Sequence, residues 1–142
     1  MIYKRSFELH CAHFNNEEAY EAAREFMARV SQRAVTLEAS EAFAKAALAT
    51  HGHNFIVIVE AEKELKFRQS SWLVDDVVLA EKVEEWQDCN LSLHADFFKD
   101  DLRATTENMA RVLAAKLNGA FPDCRWVVEV QETKDISAKV TI

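Results

Sequence analysis

Two histidines bracket a glycine at His51-Gly52-His53. Where a chain is extended, residues two apart point to the same side, so the two imidazoles can be presented to one point. Neutral imidazole is the commonest side-chain metal ligand. Gly52, one of only two glycines, would let the backbone turn tightly and leave room for a ligand. A third donor must come from elsewhere, and His13 is the best candidate. It ends an alternating segment, and antiparallel neighbours lie about 5 Å apart. Three neutral imidazoles with an open position make the catalytic type of zinc site, whereas a closed structural site uses four protein ligands, usually with thiolates. The alternative is that these are polar residues at strand ends, and His-x-His spacing alone does not choose.

The elements that must position these residues follow from periodicity. Tyr3 to His13 alternates, with Tyr3, Phe7, Leu9, Cys11 and His13 on one face and Lys4, Ser6, Glu8 and His10 on the other, which predicts a half-exposed strand. Asn16 to Gln32 predicts a helix with Asn15 or Asn16 as cap and Tyr20, Phe26, Met27 and Val30 as its apolar stripe. Leu37 to Ala49 predicts an alanine-rich helix capped by Thr36. His53 to Leu65, β-branched in its middle, predicts a strand, with Lys66 to Val74 its hairpin partner. Asp76 to Trp86 is helical in pattern, and Leu91 to Leu102 is irregular and acidic. Thr105 caps a further helix with the stripe Met109, Val112, Leu113 and Leu117, ended by Gly119. Arg125 to Thr133 and Ser137 to Ile142 predict a second hairpin. Strands in hairpin pairs imply an antiparallel sheet and an α+β class. Helices would cover one sheet face, and the more polar other face would meet another subunit or a lumen.

Composition narrows the function. The 142 residues carry a net charge of −7 and 49% apolar side chains. A chain of this size buries roughly 70% of its unfolded surface, so one domain over residues 1–142 is expected. The acidic balance argues against nucleic acid, which needs clustered Lys and Arg. The central apolar run from Phe55 to Val59 is too short to span a bilayer, so no membrane partner is expected. The first residues lack a signal-peptide core, and the odd, scattered Cys11, Cys89 and Cys124 read as reduced thiols. A cytoplasmic protein is expected.

Four ordered segments carry a resemblance: "LHCAH" (Leu9 to His13), "HGHNF" (His51 to Phe55), "TTEN" (Thr105 to Asn108) and "VEVQET" (Val128 to Thr133). In the order of these segments the chain resembles the 6-pyruvoyltetrahydropterin synthases and the related 6-carboxytetrahydropterin synthases of queuosine biosynthesis. The resemblance implies a T-fold, an antiparallel four-stranded sheet with helices on one face, associating into a barrel as homotrimers or stacked homohexamers with sites between subunits. It implies that His13, His51 and His53 bind Zn2+ and that Glu132 anchors a pterin ring. A carboxylate can accept the ring's exocyclic amine and adjacent N–H as a bidentate pair. It also places Thr105, Thr106 and Glu107 at the turn beside the ligand, where helix-start N–H groups could hold heterocycle acceptors, although plain capping accounts for the same residues.

The resemblance breaks at two places. The family's cysteine, four residues before His-x-His, is Ala47 here, and no cysteine lies between His13 and His51. The family's Asp-His pair has two registers in "WQDCNLSLHADFF": Asp88 and Cys89, or Leu93 and His94. His94 is favoured because it retains a titratable group, with Asp88 or Asp96 to polarise it. Cys11, on the strand face of His13, is a candidate substitute thiol; Cys124 is read as structural. The expected activity is zinc-dependent lyase chemistry on the side chain of 7,8-dihydroneopterin triphosphate or a relative. The alternatives are a non-catalytic T-fold that binds zinc and a pterin or purine, and an oligomeric scaffold without metal.

Overall fold

Burial alternates along the first strand as its sequence does. The computed structural model describes residues 1–14, 16–63 and 74–142. Strand β1 (Ile2–His13) buries Phe7, Leu9, Cys11 and His13 and exposes Glu8 and His10 between them. Helices α1 (Glu17–Ser31) and α2 (Leu37–Ala47) follow, then strand β2 (His51–Glu62) and helix α3 (Asp76–Glu84). A 3-10 turn at Leu91–Leu93 and the short α4 (Ala95–Phe98) lead to helix α5 (Thr106–Ala120) and strands β3 (Arg125–Thr133) and β4 (Ile136–Thr141). The strands form one four-stranded antiparallel sheet in the order β1-β2-β3-β4. The proposed hairpin partner at Lys66 to Val74 falls largely outside the described residues; β2 pairs with β3, Val57 opposite Val130 and Val59 opposite Val128.

The described chain divides into two compact units. The first comprises Met1–Cys11, His53–Asp88 and Thr105–Ile142. Its core forms because β2 and β3 are β-branched and aromatic at alternate positions: Phe55, Val57, Val59, Trp126, Val128 and Val130 are all fully buried. Helix α5 adds Met109, Ala110, Leu113, Ala114 and Leu117 at helical spacing. Thr105 starts this helix by accepting the Asn108 N–H at 3.3 Å. The expected stop at Gly119 is corrected. The helix runs on to Ala120, the Phe121 N–H closes onto the Leu117 carbonyl at 2.8 Å, and no glycine has a positive φ. Gly119 therefore lies inside the last turn and makes no left-handed cap.

The second unit comprises Ala12–Gly52 and Cys89–Ala104. Asn16 and Thr36 cap α1 and α2 by accepting the N–H groups of Ala19 at 2.7 Å and Ala39 at 3.1 Å. The expected apolar stripe of α1 is corrected. Its buried residues are Ala19, Tyr20 and Ala23, while Met27 and Val30 are exposed. Small residues let the helix approach Phe14 closely, and Phe26 stacks half-buried on Phe43 of α2 at 4.5 Å between ring centres. Gly52 is also corrected, since it is extended inside β2 and no glycine makes a turn.

Candidate metal centre

Each unit holds a pair of candidate donors. In the second, His13 and His51 face each other with ring centroids 4.6 Å apart, edge to face at 67°. His13 is fully buried. Its Nδ1 lies 2.7 Å from the Ala104 carbonyl, and the Nδ1 of His51 lies 3.2 Å from the Ala49 carbonyl. A carbonyl oxygen only accepts, so Nδ1 donates in both rings and the neutral imidazole bears its lone pair on Nε2. Carbonyl-backed imidazole is how metal-binding histidines are oriented and made more basic. Sequence reasoning missed both carbonyls, because a backbone acceptor leaves no residue-type signal.

In the first unit His53 Nε2 stands 2.9 Å from Glu132 Oε1, both side chains about a fifth exposed. Alternation puts Glu132 on the face of β3 that carries Trp126, Val128 and Val130, and the β2-β3 register, Val57 opposite Val130, brings that face alongside Phe55 and His53. The β3-β4 ladder carries an irregularity between Gln131 and Thr133. Glu132 is thus beside a histidine of the proposed triad, whereas the resemblance gave it a pterin ring to hold. As donor types, His13, His51, His53 and Glu132 each offer one ligand atom and could hold a metal ion.

The remaining sequence candidates have defined surroundings. His94 caps α4, its Nδ1 accepting the Asp96 N–H at 3.1 Å, so its neutral ring carries the proton on Nε2. Of the two carboxylates named as its partner, Asp96 places Oδ2 3.6 Å from Nδ1. Asp88 is exposed in the first unit with φ at 59°, its N–H donated to the His10 carbonyl at 2.8 Å. Thr106 is buried and donates to Glu107 Oε2 at 3.3 Å. The Glu107 carboxyl is held below its usual range first by its own backbone N–H, then by the Thr105 hydroxyl. Two of the helix-start N–H groups, those of Glu107 and Asn108, are thus already engaged within the turn. Ala47 is exposed at the end of α2. Cys11 is buried, and burial pushes the Cys124 thiol up.

A family model described as 6-pyruvoyl tetrahydropterin synthase matches residues 2–141. Among solved structures, the 6-pyruvoyl tetrahydropterin synthase of Caenorhabditis elegans is 20% identical with a TM-score of 0.64, covering 100% of this chain and 95% of that one. The enzyme of the same name from Plasmodium vivax is 16% identical with a TM-score of 0.53, covering 100% and 98%. An uncharacterised protein of Wolinella succinogenes is 16% identical with a TM-score of 0.52, covering 99% and 98%. These likenesses establish the fold. No curated protein matches the chain.

Proposed function

Since the chain belongs to the 6-pyruvoyl tetrahydropterin synthase family, we propose that it is a zinc-dependent lyase acting on the side chain of 7,8-dihydroneopterin triphosphate or a related compound. The observation that carries this reading is the paired orientation of His13 and His51, each with Nδ1 turned to a carbonyl and Nε2 bearing the lone pair. His53, two residues further along β2, supplies the third imidazole. Zinc, when bound, supplies a Lewis acid that polarises side-chain oxygens and acidifies the neighbouring C–H. The protein's own groups do the rest. Glu132 accepts the exocyclic amine and ring N–H of the pterin, fixing its plane. Thr105, Thr106 and Glu107 flank the ring on a turn that their capping bonds hold in shape. His94 delivers a proton from Nε2, with the Asp96 carboxylate beside its ring; Asp88 is the alternative partner. The whole chain acts as one domain, assembled in the cytoplasm as a homotrimer or homohexamer with sites between subunits.

A second reading is favoured by Ala47 and by the contact of Glu132 with His53. In this reading the protein binds zinc and a pterin or purine without turnover. Alanine cannot abstract a proton, and loss of one general base costs about 10²–10⁴-fold. With Glu132 as a fourth protein ligand the site would be of the closed, structural type. Incubating the zinc-loaded protein with dihydroneopterin triphosphate and separating products by chromatography decides. Turnover that His94→Ala abolishes supports the lyase; tight binding with no product supports the binder.

A further inference from the structure

The helical segment between β1 and β2 supplies neither a cysteine nor a histidine to the site before His51, yet one of its side chains reaches toward His13. Tyr20 of α1 is only 4% exposed. Its hydroxyl accepts the Ala104 N–H at 3.1 Å. The carbonyl of the same Ala104 accepts from His13 Nδ1 at 2.7 Å. Ala104 is therefore pinned on both sides, and it is itself fully buried. The phenol also lies 3.5 Å from Ser92 Oγ. Ser92 in turn holds the residue after His13, accepting the Phe14 N–H and donating to the Phe14 carbonyl, each at 2.9 Å. Arg103 lies 5.4 Å over the Tyr20 ring and is ion-paired with Glu17 at the start of α1, which ties the segment before Ala104 to the same helix.

We infer that Tyr20 is a positioning residue for a divalent cation at His13, acting through the Ala104 peptide. Without the phenol, Ala104 loses the bond that fixes where its carbonyl points. That carbonyl decides which His13 nitrogen bears the proton. If the proton moves to Nε2, the ring cannot ligate through that atom. Helix α1 thus has a purpose in the site. This inference rests on the metal reading proposed above.

The test is Tyr20→Phe, which keeps the ring and deletes only the hydroxyl, with Phe26→Leu as a control that loosens α1 on α2 without touching Ala104. Zinc affinity is measured by chelator competition, and the His13 tautomer by nitrogen-15 ring shifts in the metal-free protein. The expected result for Tyr20→Phe is a loss of affinity of about 10- to 100-fold, the usual range for a group backing a ligand, with His13 shifting toward the Nε2–H form; Phe26→Leu leaves both unchanged. An unaltered tautomer and unaltered affinity in a folded Tyr20→Phe overturn the inference. If wild type binds no zinc, the metal reading fails by itself, and the metal-free tautomer still tests the link from Tyr20 to His13. If Tyr20→Phe does not fold, amide exchange of the wild type decides, since zinc should slow exchange at Ala104 about tenfold or more by linkage, and equal exchange with and without zinc overturns the inference.

Discussion

The two units of the molecule are built by different means. In the first, α5 lays Met109, Leu113 and Leu117 among residues of the same unit's core such as Trp126 and Val128, all fully buried. In the second, α1 and α2 bury mainly alanines and one tyrosine and leave Met27, Val30, Val35, Leu37 and Leu48 exposed. The first is held by apolar area, which is non-directional and tolerant of small shifts. The second has a smaller apolar cluster around Phe14, Tyr20 and Ala23 and adds directed polar bonds among Tyr20, Ser92 and Ala104. Hydrogen bonds fix orientation where packing alone fixes only proximity, and orientation is what a metal-binding imidazole needs.

Substitutions can break or sharpen this contrast. The largest effect is expected from Leu113→Ala, which removes fully buried atoms from the first unit and should cost about 2–5 kcal/mol in urea or thermal unfolding. A cost under about 1 kcal/mol would mean that the first unit is not the apolar anchor. Thr36→Ala removes the α2 cap and should cost about 1 kcal/mol, read best as faster amide exchange confined to α1 and α2.

Acid titration sharpens the same contrast at the start of α5. The Glu107 carboxyl is depressed in the folded protein by its own N–H and by Thr105. Its contribution is therefore complete above the unfolded carboxylate value of about 4.3 and is lost as pH falls through the lower folded value. Glu107→Gln should flatten the acid side of the stability profile by lowering stability at neutral pH, with strongly acid pH little changed. A profile identical to wild type would remove Glu107 from the cap. The smallest effect is expected at Leu48, 84% exposed, where Leu48→Ser should stay within about 0.5 kcal/mol. A larger loss would reveal that this face is covered in the assembled protein.

The sequence made the sheet legible because alternation in β1, β2 and β3 is a local signal, and the buried residues at 55, 57 and 59 and at 126, 128 and 130 follow it. The stop of α5 and the stripe of α1 were misread for a common reason. Gly119 and the pair Met27 and Val30 were judged by residue type, while the outcome was set by what lay opposite them. The triad histidines could be named from spacing and resemblance. The contact of Glu132 with His53 could not, because it depends on how β3 is registered against β2. Nor could the link from Tyr20 to His13, which passes through a main-chain group. His94 was visible as a titratable residue, but its role as the α4 cap appears only once the Asp96 N–H is placed.

The central claim is that His13, His51 and His53 serve one divalent cation. Its most direct test is zinc content after dialysis of the purified protein, compared with His51→Ala. The account predicts a stoichiometric ion per chain in wild type, removed by His51→Ala with folding intact. A folded wild type that retains no zinc, cobalt or other divalent ion, or a His51→Ala protein that retains it fully, would contradict the account.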